Sequence, residues 1–471
     1  MSAQGTASRK LLARGVTLAV ALGLWFAPIP EGLAPEAWKL FVIFFSAILS
    51  VILTAFPLLT AAMIALAVAV LSGTMSPAKA FSGFSNSSVL LVVIAFIVAR
   101  GVVKSGLGKR LSYLVVALFG RSTLGLAYSI FLTDALIAPA FPSNTARGGV
   151  LFPIVLSLAE SGGSRPDDGT QRRMGGFLMF CGIATLSVSS ALWLTATSVN
   201  PIGVEICRNF GLNINFGSWL VASSVPALTA ILLLPLVLYK LFPPEVKATP
   251  EAPAAARAAL RTMGPLTRDE KIVAVAFALM VTGWVFAGTL NLNLTAVAFA
   301  GLGALLATGV LTLEDISREG DTLATFLWLA VLFTLSGQLN EMGFMGYVGE
   351  RLASGLKGLS WPVAYAALIV LYVLIHYLFV SQSSQLLALF GVFLGVGINT
   401  GVPGGVLAFS LLFASSYFSA ITPQGGSQNV IFVSAGYLTQ GELYRMGAVS
   451  TAFCLLVFLV VGTPWLMFVL R

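Results

Sequence analysis

At 471 residues the chain is long enough for two or three soluble domains, yet 58% of it is hydrophobic and 9% charged, against about 25% charge in an ordinary globular protein. That balance excludes a soluble enzyme, a nucleic-acid binder and a disordered scaffold, and marks an integral membrane protein with little outside the bilayer. Three cysteines in apolar surroundings and a single histidine provide neither a disulfide framework nor a thiol metal cluster, and the net charge of +8 is read first as a topology signal.

A spanning helix needs roughly 20 mostly apolar residues, and eleven stretches qualify. Residues 11–28 come first, behind Arg9, Lys10 and Arg14. No small-residue cleavage site follows them and a second span begins close behind, so they read as a mature helix, not a leader. Spans follow at 37–56, 58–73 and 85–103. The apolar stretch 122–160 carries a polar cluster, FPSNTARGG, at 141–149. Its charges place both ends on one side, so a re-entrant hairpin is expected. A span at 175–212 is broken inside, and 219–240 closes the first half.

The segment 243–270 is Pro/Ala-rich and charged, with no apolar face long enough to insert, and serves as a cytoplasmic linker. Beyond it lie spans at 271–289, 292–311 and 322–341. A second hairpin at 361–398 forms around FVSQSSQLL, residues 379–387. A broken span at 403–436 and a last one at 446–470 complete the chain. With the N-terminus placed inside, nineteen of the 26 Lys and Arg fall at cytoplasmic ends. Lys39, Lys79, Arg208, Arg351, Lys357 and Arg471 face the other side, and Arg147 belongs to neither. The positive-inside rule supports that orientation. Trp25, Trp38, Trp219, Trp361 and Trp465 lie near span ends, as interfacial anchors do.

The halves resemble each other. SSVLLVVIAFIVARGVVKSGLGKRL at 87–111 parallels TFLWLAVLFTLSGQLNEMGFMGYVGERL at 325–352, and the polar interruptions follow at matching distance, equivalent points being about 237 residues apart. The domain reading is therefore a first helix at 1–36, one copy at 37–242, the linker, and a second copy at 271–471. Five full spans per half is odd, so the second copy is inverted. Inverted repeats with paired interrupted segments are the signature of a secondary transporter.

The interruptions carry the chemistry. Non-helical backbone at membrane depth survives only where protein or a water-filled site satisfies it. Ser143, Asn144 and Thr145 suit a helix N-cap, so a returning limb starting here aims N–H groups at the apex and attracts carboxylate. Ser381, Gln382 and Ser383 are the equivalents in the second hairpin, and two such apices suit a ligand with two anionic ends. The breaks at 195–201, ending in Asn200 and Pro201, and at 422–429, starting with Thr422 and Pro423, offer backbone groups to a cation or an anion. The plain alternatives are capping turns and structural kinks. Arg147 is costly at this depth unless paired or hydrated. It either compensates a dianion or pairs with Asp134, the one acid of the first hairpin. His376, five residues before the second apex, suits helix packing better than a protonation switch.

Ser143-Asn144-Thr145, Thr422-Pro423 and the two-hairpin repeat resemble the divalent anion:sodium symporter family over essentially the whole chain. The run SNT followed by Ala-Arg-Gly-Gly is similar to its branch of tartrate/succinate, citrate/succinate and plastid 2-oxoglutarate/malate exchangers. The resemblance implies an all-α homodimer with eleven transmembrane helices and two re-entrant hairpins per protomer, whose transport domain moves as an elevator against a scaffold. It implies that Ser143, Asn144 and Thr145 contact a substrate carboxylate, with a possible sodium near Ser143 and Asn144, and that Thr422 and Pro423 lie beside the second apex. Sodium-coupled members carry a second SNT; here Ser381-Gln382-Ser383 stands instead. With Arg147 able to stand in for sodium's charge, this favours sodium-independent exchange of C4/C5 dicarboxylates, with no cofactor, in a bacterial inner membrane. Sodium-coupled di- or tricarboxylate symport and sulfate carriage are the alternatives. An intramembrane enzyme lacks its metal cluster or nucleophile pair, and a channel lacks a carbonyl filter or acidic ring.

Overall fold

The computed structural model describes residues 3–318, 320–354, 358–379 and 381–471; of the expected outward charges, Lys357 lies outside them. The described residues are helical throughout, apart from one isolated bridge between Ser122 and Ala248. Nine helices among them are long and apolar enough to cross a membrane, against the eleven spans expected, and three shorter apolar helices lie at Leu58–Leu71, Leu294–Ala307 and Gly404–Ala420. Three of the nine, Thr123–Ala140, Trp361–Leu378 and Gln382–Asn399, are limbs of the expected hairpins. An 18-residue limb is about 27 Å long, close to the hydrocarbon thickness of about 30 Å, so length places it with the crossing helices. Burial separates only two of them: Thr123–Ala140 is 72% buried and Gln382–Asn399 78%, whereas Trp361–Leu378, at 39%, is buried no more than the spans Pro35–Ile52 and Phe216–Leu241, at 44% each.

The element order repeats between the halves. Helix Ser87–Ser105 is matched by Gly320–Glu341, and Leu107–Phe119 by Phe344–Ser354. Thr123–Ile137 ends in a 3₁₀ turn at Ala138–Ala140, as Trp361–Ile375 ends in one at His376–Leu378. Returning limbs start at Asn144 and Gln382, and broken helices and a long last helix follow in both halves.

The chain forms two compact units, each drawing on both halves. One comprises Met1–Val93, Ile202–Asn213 and Glu319–Leu411. It contains the first three helices, α1 (Ala3–Trp25), α2 (Pro35–Ile52) and α3 (Leu58–Leu71), and the second hairpin. Phe41 of α2 stacks on Phe344 at 4.5 Å between ring centroids.

The other unit comprises Ile94–Pro201, Ile214–Arg318 and Leu412–Arg471. Its centre is the helix Gly175–Leu192, every residue of which is buried. Gly182 permits its closest packing: a Cβ there would stand 2.3 Å from the Phe432 ring, so only glycine lets the helix after the second break dock. Trp219, expected at an interface, is instead fully buried, and its indole N–H donates to the Ala191 carbonyl.

The linker has structure of its own. Residues Ala252–Met263 fold into a helix that buries Pro253 and Ala256. It is strapped down at both ends. Thr123 N donates to Lys247 O and Thr249 N to Arg121 O, at 3.0 Å each. At the far end Arg110 forms a two-point ion pair with Glu270, at 2.7 and 3.0 Å, and donates to the Gly264 carbonyl. A short charged segment thus becomes a clamp across the base of the first hairpin.

Candidate functional site

The first apex is built by backbone chemistry. Pro139 sits in the 3₁₀ turn that stops the entering limb, and Phe141 and Ser143 are extended. Ser143 caps the returning helix: its Oγ accepts from Ala146 N at 3.2 Å. The helix starts at Asn144, so the amides of its first turn point toward the apex rather than into the helix.

Arg147, one turn on, is 0% exposed. Its Nη1 donates to both Asp134 oxygens, at 3.0 and 3.2 Å, and to Ser189 Oγ. Its Nη2 donates to Asn144 Oδ1 at 2.6 Å, to Ser190 Oγ and to the Leu186 carbonyl. Asp134, also fully buried, further accepts from Thr185 and Ser189. The charge of Arg147 is therefore met within the protein, and its reach to the apex is through Asn144. Asn144 Oδ1 thus accepts from the guanidinium and lies 2.7 Å from Ser190 Oγ, which fixes the amide with its oxygen toward the arginine.

The first break shows how a helix can end inside protein. Gly175–Leu192 stops, Trp193 is extended, and helix starts again at Val199. Each of the last carbonyls has a donor: Asn200 Nδ2 on Ser190 O (2.8 Å) and Trp193 O (3.0 Å), Trp219 on Ala191 O, Ser223 Oγ on Leu192 O. The second break repeats the device. Asn429 Nδ2 donates to Ser419 O at 2.7 Å and Thr422 O at 2.8 Å, the same ten- and seven-residue reach. Thr422 is extended and Pro423 opens a 3₁₀ turn before helix resumes at Ser427.

These parts converge. Thr145 Oγ1 meets Ser427 Oγ at 2.5 Å, Ser187 Oγ meets Ser419 Oγ at 3.2 Å, and Thr195 Oγ1 donates to Pro139 O at 2.9 Å. So the unit brings Ser143, Asn144, Thr145, Arg147 and Asn200 together with Thr422 and Pro423. Ser381, Gln382 and Ser383 belong to the other unit. There Ser381 Oγ caps the returning limb by accepting from Ser384 N at 3.4 Å. Gln385 takes the place Arg147 has in the first hairpin: it reaches back thirteen residues, to the Tyr372 carbonyl, as Arg147 reaches back thirteen to Asp134. Gln385 Nε2 donates to the Tyr372 carbonyl, so Gln385 Oε1, 2.7 Å from His376 Nδ1, is the acceptor and Nδ1 of the buried imidazole carries the proton.

Sequence reasoning missed Ser189, Ser190, Ser427 and Asn429 as site residues. Asn429 stands behind its break as Asn200 stands behind the first, and the repeat alone could have indicated it. The buried Asn200 Oδ1, Asn429 Oδ1 and Gln428 Oε1 have no protein partner among the described residues. A side-chain sodium site at Ser143 and Asn144 does not fit well: a guanidinium and a hydroxyl already hold Asn144 Oδ1, and an amide N–H holds Ser143 Oγ. No cluster of three or more His, Cys, Asp or Glu suited to a metal exists among the described residues.

Two hairpins with capped apices and repeat-related broken helices define a polytopic membrane carrier. Residues 8–471 match the family described as the sodium:sulfate symporter transmembrane region, and the chain belongs to that family, that of the divalent anion:sodium symporters. It is 40% identical to the putative malate transporter YflS of Bacillus subtilis, over 97% of this chain and 96% of that one. It is 40% identical to the chloroplastic dicarboxylate transporter 2.1 of Arabidopsis thaliana, over 97% of this chain and 82% of that one. The crystal structure of the Alcanivorax borkumensis YdaH transporter shares the fold, with a TM-score of 0.57 at 17% identity over 83% of this chain and 87% of that chain. The protein is a membrane transporter, not an enzyme.

Proposed function

We propose that the protein exchanges C4/C5 dicarboxylates of the succinate, malate and 2-oxoglutarate type without sodium. Relatives named for malate and dicarboxylate transport support the substrate class. The observation that carries sodium independence is Arg147 on Asn144 Oδ1: a fixed cation occupies the acceptor that a sodium ion would need. Gln382 in place of a second Asn points the same way. In this reading the first-turn amides and hydroxyls at Ser143, Asn144 and Thr145 receive one carboxylate. Ser381, Gln382 and Ser383 offer the equivalent groups at the apex of the second hairpin, and Thr422 and Pro423 line the approach to the first. Asn200 holds the break open, and Arg147 acts on substrate through Asn144. The carrier works as a homodimer in the inner membrane, N-terminus inside, its transport domain moving as an elevator.

One observation favours the second reading, sodium-coupled symport: the unpartnered buried oxygens of Asn200, Asn429 and Gln428 would suit a cation. Proteoliposomes decide between them. Uptake of labelled malate should require internal dicarboxylate and be the same in sodium and choline buffers. Strict sodium dependence with empty vesicles would overturn exchange. A thermal-shift series of succinate, malate, 2-oxoglutarate, tartrate, citrate and sulfate ranks the ligands; stabilisation by sulfate alone would overturn the dicarboxylate assignment.

A further inference from the structure

Away from the apices, α1, α2 and α3 enclose a groove of about 600 Å³, within the roughly 300–1,000 Å³ of sites that bury a small ligand. Its cause is local. The facing stripes carry small side chains, with Ala21 on α1, Ser46 and Ala47 on α2, and Ala61 and Ala65 on α3. The groove opens along one side to the surroundings of α1, and its apolar walls gain dispersion contacts when an apolar chain fills it.

The groove is polarised. Along α1 it runs from Arg14 through Leu18 and Leu22 to Trp25, eleven residues or about 16 Å of helix. Its walls are almost wholly apolar and include no acidic side chain. At one end the Arg14 guanidinium lies 4.8 Å from the Phe56 ring centroid, and its Nε donates to the Ala55 carbonyl at 3.3 Å. That geometry anchors the guanidinium, and Arg14 as a whole remains exposed. Lys10 precedes Arg14 by four residues, on the same face of α1.

We infer that this groove binds an anionic phospholipid, one acyl chain lying between α1, α2 and α3 and the headgroup phosphate against Arg14. A cation fixed at the end of an apolar slot complements such a lipid in charge and in the apolar character of its chain. The lipid completes the packing of α1, which otherwise exposes Leu18, Leu22 and Phe26.

Native mass spectrometry of the purified full chain, delipidated and then offered equimolar phosphatidylglycerol and phosphatidylcholine, tests this. The wild type should retain phosphatidylglycerol about fivefold better, corresponding to about 1 kcal/mol for one basic contact to an anionic lipid. Arg14→Gln should abolish that preference while keeping the chain-binding slot, and Ala47→Phe with Ala65→Phe should lose both lipids. Equal retention of the two lipids by the wild type, or an undiminished preference in Arg14→Gln, overturns the proposal. So does efficient disulfide formation between two copies of a Leu18→Cys variant, which would make a second copy the occupant; the three native cysteines are buried and do not confuse that readout.

Discussion

Asn144 and Arg147 illustrate how one buried charge can organise a neutral binding apex. Arg147 is balanced by Asp134 and directs further Nη hydrogens at Asn144, Ser189 and Ser190, so the amide oxygen is held toward the guanidinium. Asn144→Ala should reduce dicarboxylate uptake in proteoliposomes at least tenfold while the protein still reaches the membrane fraction in normal amount. Asp134→Asn is a different lesion, since breaking a buried pair typically costs about 3–5 kcal/mol. Its melting temperature should fall clearly, and adding Arg147→Gln should restore most of it. Uptake should stay low in the double variant because the guanidinium no longer holds Asn144 Oδ1. Recovered transport alongside recovered stability would show that the pair serves the fold alone. The sequence made both partners visible as candidates, since each is a lone charge in an apolar hairpin. It could not show that Ser189 and Ser190 complete the set, because those hydroxyls look like any small polar residue of a membrane helix.

Broken helices solve a problem that lies in the backbone. A helix that ends inside protein has carbonyls with no intrahelical partner, and an unsatisfied one costs about 1–3 kcal/mol. Asn200 and Asn429 meet that need with the same two bonds at the same reach. Asn200→Ala and Asn429→Ala should therefore have matched effects. Each should speed amide hydrogen exchange in the residues of its own break and lower the melting temperature comparably, with exchange at the other break unchanged. The breaks themselves were legible, as Pro, Thr, Ser and Asn inside apolar runs. Their ends were not: the first helix stops at Leu192, three residues before the polar string begins. Trp219 and Ser223, which hold its last carbonyls, come from a helix that pairing by sequence distance would not suggest.

Across the molecule, the repeat and the sites of its interruptions could be read from one half against the other, because Pro, Gly and Ser clusters are local signals. The folding of the linker could not, since the twelve residues of Ala252–Met263 owe their helix to packing and to the Arg110–Glu270 clamp. A second ion pair ties the same unit, Lys104 to Asp315 at 2.6 Å. The Lys104 hydrogen bond, with those from Thr312, holds the Asp315 carboxyl well below the usual carboxylate range. Its folded pKa being depressed, the contribution is complete above about pH 3.9, the ordinary value, and disappears as acid protonates the group below that. Melting curves of wild type and Asp315→Asn should keep a constant offset from pH 5 to 8 and converge in stronger acid.

The mutual cancellation of Arg147 and Asp134 has an electrical consequence. The Arg147–Asp134 pair contributes no net charge of its own, so in the proposed elevator exchange a voltage acting there finds only the cargo to pull. Moving one charge through 100 mV is worth about 2.3 kcal/mol, and swapping one diacid for another cancels even that. Malate/malate exchange should run at the same rate when a potassium diffusion potential is imposed across the vesicle, whereas exchange of malate for a trianion should generate current.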